Sequence, residues 1–357
     1  MGPLTITAVG AVSSVGVGVV QSCASIRAGL SRPRAVTHFE ILDEDRQEPA
    51  PLQGHPVHGL TDGFAPNARW LLMSRHALAD LDSTLGQTVA GYWSRCAVVF
   101  VLPVLADARF YHAPTARPDT IWTSCLDVII VERGLSTDPH HRSLIAIGPG
   151  GVASAFESAA SWLDNREVDR VLVVAVDSLL DGWSLGWLAG GRRLKDASNP
   201  IGLVPGEAAV ALLLEGQARR GAARPLAMVA ASAFEESDEP FQNVTRRQGR
   251  AAKAALARAL QTAGPSLEGD LYVNLNGEDW RGAELGAVLS GIPVASRGGY
   301  RVIAPATSVG DVGAAAGALH IACALRSYAR DYAAGPQSWI LATSDYGDAS
   351  VISVKAA

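Results

Sequence analysis

Short apolar runs alternate along the chain with longer stretches of helical, 3.6-residue periodicity. The runs predict strands over Leu4–Val9, Cys96–Leu102, Leu144–Ile147, Arg170–Val176 and Ala208–Leu214. A second series follows at Ala227–Ala233, Leu271–Leu275, Trp339–Thr343 and Val351–Val354. The periodic stretches predict helices over Val17–Ala28, Ala68–Leu85, Val152–Asn165, Thr245–Ala263 and Val312–Ala334. Alternation of this kind predicts an α/β fold. The two series share a layout and join near Gly216–Arg224. The chain therefore reads as two halves, 1–215 and 225–357, in one intertwined unit. The stretch His38–Arg69 breaks the pattern. It is rich in Pro, Asp, Glu and Gly and without periodicity, so it is expected to be an irregular, functional loop region.

Composition narrows the class. With 48% hydrophobic and 18% charged residues in 357, the chain can bury a large core, unlike a disordered one. A formal net charge of -5 weighs against nucleic-acid binding. The four cysteines, Cys23, Cys96, Cys125 and Cys323, include no CxxC pair, which argues against a zinc ribbon or a disulfide framework. Sparse cysteine suits the reducing cytoplasm. Leu4–Val20 is broken by Gly, Ser and Thr and lacks a basic flank, and no long apolar span follows, so neither signal peptide nor membrane span is expected.

Four segments carry a resemblance. The opening Ile6-Thr7-Ala8-Val9-Gly10-Ala11-Val12-Ser13-Ser14-Val15-Gly16 is a strand with a Gly-rich turn. Pro205-Gly206-Glu207-Ala208-Ala209 leads into Leu212–Glu215. The third is Ala306-Thr307-Ser308-Val309-Gly310-Asp311-Val312-Gly313-Ala314-Ala315-Ala316-Gly317, and the fourth is Ser344-Asp345-Tyr346-Gly347-Asp348-Ala349-Ser350. In this order and spacing they resemble the β-ketoacyl synthases of the thiolase superfamily. The resemblance implies a thiolase-like fold of two pseudo-duplicated halves in α/β/α/β/α layers. It also implies a Cys nucleophile at a strand-to-helix turn, assisted by two His. Carried onto this chain, the Cys position falls at Pro149 or Gly150, the first His at Asn276 and the second at Asp311. No Cys, Ser or Thr lies between Ser143 and Ser154. Asp345 and Asp348 depart from the apolar residues or Gly usual in that loop. The resemblance therefore implies a chain inactive as a condensing enzyme, with no cofactor and no metal.

Members of that family dimerise through the strand beside the nucleophile turn, so a homodimer, or a heterodimer with a ketosynthase-like subunit, is expected. The chain also resembles short pseudo-ketosynthases associated with type VI secretion effector clusters. That resemblance implies an adaptor whose partner is a secretion effector, with His55, His58, Phe64 and Trp70 as the candidate partner surface. A subunit of chain-length-factor kind, working with a ketosynthase and an acyl carrier protein, is the alternative. A third reading is a dinucleotide site: Gly148-Pro149-Gly150-Gly151-Val152-Ala153 fits G-x-G-x-x-G/A after a strand, with Asp177 ending the next. Pro149 removes a backbone N–H that a pyrophosphate would use. Several residues have more than one reading. His55 and His58 fit metal ligands or an ordered turn, Trp183 and Trp187 a partner patch or core, and Arg192, Arg193 and Lys195 a phosphate contact or a solvated loop.

Overall fold

The computed structural model describes residues 4–43, 47–86, 88, 91–105, 108–135, 138–216, 224–237, 248–292 and 297–357. Thirteen strands run in chain order among them: β1 (Leu4–Ser13), β2 (Gly16–Val17), β3 (Arg34–Asp43), β4 (Glu48–Gly54), β5 (Cys96–Val101), β6 (Arg142–Ile145), β7 (Arg170–Ser178), β8 (Glu207–Gly216), β9 (Ala227–Glu235), β10 (Leu267–Val273), β11 (Arg297–Ile303), β12 (Gln337–Thr343) and β13 (Ala349–Ala356). The helices are α1 (Val19–Arg27), α2 (Pro66–Leu85), α3 (Pro118–Ile121), α4 (Asp127–Glu132), α5 (Gly151–Asp164), α6 (Gly182–Gly190), α7 (Arg250–Ala263), α8 (Asp279–Ser290), α9 (Ala306–Val309) and α10 (Ala316–Ala329).

Ten strands form one hydrogen-bonded path, β11-β10-β12-β13-β9-β1-β8-β7-β5-β6, with β2 appended to β1. The path repeats itself. Counted within each half, the strand order is 3-2-4-5-1 for β6-β5-β7-β8-β1 and again for β11-β10-β12-β13-β9. The strand directions repeat as well: β5 is parallel to β6 and β7, as β10 is to β11 and β12, and the last two strands of each set are antiparallel. β1 joins the two sets by pairing with β8 along its length and with β9 through Leu4–Ile6.

Every residue of β1, β5 and β7 is buried, and of β8 all but Gly216. Strands covered on both faces read as continuous apolar runs. The covering layers explain this. Val152, Phe156 and Ala159 of α5 and Leu319, Ile321 and Ala322 of α10 form the central layer with one face of each sheet half. Trp70, Met73, Ala77 and Leu81 of α2 cover the outer face of the N-terminal half, and Leu256 and Leu260 of α7 with Val288 of α8 that of the C-terminal half. The fold is thiolase-like, in α/β/α/β/α layers. α2 lies close on β1 because Gly10 has no side chain; a Cβ there would sit 2.1 Å from the carbonyl oxygen of Ala77.

The irregular region expected over His38–Arg69 is instead the β3–β4 hairpin, a turn, and the first residues of α2. The hairpin hides its period because it is mostly exposed and carries Pro49 and Pro51, and its register shifts between Val36 and Glu40. The helix expected from Thr245 starts at Arg250, with 245–247 outside the described residues, and the join near Gly216–Arg224 lies almost wholly outside them. The cysteines, scattered in sequence, are all buried and form no disulfide, and Cys23 on α1 meets Cys323 on α10; their hydrogen bond and burial push the Cys23 thiol up.

Two buried histidines make the fold acid-sensitive. Burial pushes His320 of α10 down to about 3 and His55 down to about 4. Each therefore binds fewer protons folded than unfolded, so stability falls as pH drops below the ordinary histidine value of 6.5. The loss grows by up to about 1.4 kcal/mol per pH unit for each histidine until its folded value is reached. Urea unfolding of wild type and His320→Leu between pH 7 and pH 4 should show the variant losing less stability on acidification.

Candidate functional site

The C-terminal ends of β6 and β7 and the turns before α5 and α10 converge on one cavity of about 50 Å³, room for a few waters. Gly148–Gly150 forms a 3-10 turn with Gly148 at φ 76, a conformation that favours glycine. A Cβ on Gly150 would lie 2.7 Å from the ring of Phe234, and one on Gly151 2.6 Å from Val101. The space a nucleophile's side chain would take at 150 is filled by an aromatic ring. Pro149 lines the cavity, and its carbonyl oxygen would lie 3.2 Å from a Cβ on Gly317 of α10. Gly148 thus serves the turn, and Gly150 and Gly151 serve packing.

The fold brings the expected triad positions together. Asp311 and Pro149 line the same cavity, and the Asn276 amide donates to Asp311 Oδ2 at 2.7 Å and to Glu278 Oε2 at 2.9 Å. Asp311 Oδ1 accepts from the Gly313 N–H at 2.9 Å. Desolvation holds the Asp311 carboxyl above its ordinary value, against Arg281, Asn276 and the Gly313 N–H. The Asp311 backbone bonds Val204 and Gly206 at 2.8 Å each. This fixes its loop against the Pro205-Gly206-Glu207 turn, where a Cβ on Gly206 would sit 2.1 Å from the Val309 oxygen.

Charge fills the rest. Arg193 forks onto Glu278 with two bonds of 2.8 Å and onto Asp345 at 2.8 and 3.1 Å. Arg281 reaches Asp345 at 2.7 Å and the Thr343 carbonyl at 2.8 Å. Arg109 grips Asp177 at 2.7 and 3.2 Å, with Ser184 and the Ser178 carbonyl on its remaining donors. Trp187 lies 5.0 Å from the Arg193 guanidinium. Desolvation opposes the Arg193 charge, and Asp345 and Glu278 outweigh it. Asp345, a departure from the resembled loop, is thus the shared counter-ion of two buried arginines. Asp348 accepts from the Ser237 N–H at 3.3 Å.

The chemistry available is limited. Among the described residues no Cys or His lines the cavity, and the lining hydroxyls are those of Ser344 and Tyr346. Ser344 Oγ accepts from the Tyr346 N–H at 3.1 Å, and the lining carboxylates are engaged with arginines or amides. Cys125 belongs to the core: it is buried, and burial pushes its thiol up to about 11.

The expected partner surface is corrected in half. His58 and Phe64 are exposed, but His55 and Trp70 are only 4% and 1% exposed. His55 is drawn inside by its backbone bond to Pro205 at 2.8 Å, and Trp70 by the core under α2, edge-on to Phe110. His58 faces Asp62 at 3.2 Å, and no group of three or more metal-ligating side chains gathers among the described residues. Asp177, the expected ribose ligand, is spent on Arg109 and the Ala314 N–H. A cavity of a few waters beside it has no room for a dinucleotide. Arg193, read as one of a solvated or phosphate-binding cluster, is buried. Trp183 is exposed and Trp187 is half-buried over Arg193. No helix among the described residues is long and apolar enough to cross a membrane.

Replacing Arg193 by Met should destabilise the fold by about 3–5 kcal/mol, because Glu278 and Asp345 lose a buried counter-charge. Adding Glu278→Met should recover part of the loss, since Asp345 keeps Arg281; denaturant unfolding reads both.

No protein-family model matches the chain, and no curated protein matches its sequence. Solved structures do match. The ishigamide ketosynthase/chain length factor is 20% identical, with a TM-score of 0.69 over 99% of each chain. A β-ketoacyl synthase from Burkholderia phymatum STM815 is 16% identical, with a TM-score of 0.72 over the whole of both chains. The complex of the ketosynthase ApeO with its chain length factor ApeC, from Xenorhabdus doucetiae, matches at 14% identity and a TM-score of 0.73, over 100% of this chain and 98% of that one. At these identities the likeness shows the fold alone, and the chain has the thiolase-like fold of ketosynthases and chain length factors.

Proposed function

We propose that this chain is a non-condensing subunit of chain-length-factor kind that pairs with a ketosynthase-like subunit. One observation carries the reading. Where the resembled enzymes need a thiolate between two imidazoles, this chain has a glycine facing the Phe234 ring and an Asn276–Asp311 hydrogen bond above paired arginines. Acyl transfer needs a nucleophile and a base within reach, and the described lining offers the hydroxyls of Ser344 and Tyr346 beside carboxylates held by arginines or amides. The cavity is also too small for an acyl chain, so an acyl carrier protein would deliver its cargo to the partner.

The sheet supports pairing. β6, the strand before the turn, ends the path and is bonded only to β5 among the described strands. Its residues Arg142–Ile145 are all half-buried. An unpaired edge of this kind is a template for another chain. The ketosynthase–chain length factor complex among the similar structures is consistent with such a pair. The alternative of a secretion-effector adaptor has His55, His58, Phe64 and Trp70 as its candidate partner surface, and with His55 and Trp70 inside the molecule that surface no longer favours it.

Purification through a gentle tag from the native host, with mass spectrometry of what co-elutes, tests the reading. The expected result is a stoichiometric ketosynthase-like chain that carries its own cysteine nucleophile. Co-elution of a secreted toxin or a spike-complex protein in its place would contradict it.

A further inference from the structure

A second set of three arginines lies at the far end of α10 from the cavity. α10 has 14 residues, so at about 1.5 Å per residue this place is ~20 Å away. There one side of α1 and the last turn of α10 border a groove of about 430 Å³, within the range of small-molecule sites. Arg27 comes from α1, Arg326 from the last turn of α10, and Arg330 from the residue that caps it. Val20 and Ala24 give the groove an apolar side, and Tyr332 closes it, with the Arg27 guanidinium 3.6 Å from its ring centroid.

The contrast with the first set is electrostatic. Arg109, Arg193 and Arg281 each meet a carboxylate. Among the described residues no carboxylate lies within ion-pair distance of Arg27, Arg326 or Arg330, and none lines the groove. Asp331 follows Arg330 in sequence and stands outside the lining; Asp80, near the start of α1, is spent on the Ala11 and Val19 N–H groups. A helix C-terminus favours one nearby cation. That accounts for Arg27 and Arg326 singly, but not for three unmatched guanidinia converging on one groove beside an apolar strip. Guanidinium matches phosphate in a planar, two-bonded geometry.

We infer that the α1–α10 groove binds a phosphate ester, its phosphates on Arg27, Arg326 and Arg330 and its organic body along Val20 and Ala24. The inference is independent of the proposed pairing role, which concerns β6. Calorimetric titration of the full chain with ADP, inorganic pyrophosphate and adenosine tests it. ADP and pyrophosphate should bind, more weakly as salt is added. Adenosine, and ADP on the Arg326→Gln/Arg330→Gln variant, should bind at least about tenfold more weakly than ADP on wild type. Arg330→Glu, a single change at an exposed position, should show the same direction should the double variant fold poorly. No binding of ADP at millimolar concentration, or equal binding by wild type and variants, would overturn the inference.

Discussion

The site is organised by the cost of burying charge. Arg193 and Glu278 are nearly inaccessible to water, and Asp345 is largely so. An unpaired ion in such a place costs several kcal/mol, so each must be matched in position as well as in sign. The matching draws one residue from the segment after α6, one from the start of α8 and one from the loop after β12. Asn276 and Arg281 then donate further bonds to Glu278 Oε2 and Asp345 Oδ1, which Arg193 also reaches. This brings Asp311 and the Gly148–Gly150 turn into their places around the small cavity.

A second buried charge does the same for the segment before α2. Glu207 is fully buried and accepts from the Val57 N–H, Thr61, Arg69 and Ser178. It follows Gly206, which lets the backbone of the Asp311 loop approach. The turn Pro205-Gly206-Glu207 therefore ties the first half of the chain to the loop that carries Asp311. The same economy separates the two arginine clusters. One is neutralised inside the protein and holds it together; the other, at the end of α10, is left unmatched at the surface and open to a ligand.

Much of the fold was legible because both faces of the central strands are covered. Their apolar runs stand out, and the third and fourth resembling segments fall at turns that line the cavity. The outer pieces were not legible. The β3–β4 hairpin is exposed and broken by prolines, β11 is an edge strand, and α8 buries Arg281 and Glu284 where a helix pattern expects apolar residues. At the site, the sequence placed Pro149, Gly150, Asn276 and Asp311 together, but not the ion cluster. Arg193 is 85 residues from Glu278 and 152 from Asp345, and nothing local distinguishes it from Arg192. His55 and Trp70 misled for a related reason: a loop-like composition says nothing of which side chains turn inward.

The central claim is that the place where a nucleophile would stand holds a packed turn and a matched set of charges. Incubating the purified chain, alone and with its co-purified partner, with a radiolabelled acyl thioester tests it most directly. The account predicts no covalent label on this chain and label on the partner's cysteine. Stable labelling of this chain, mapped by mass spectrometry to a single residue, would contradict it.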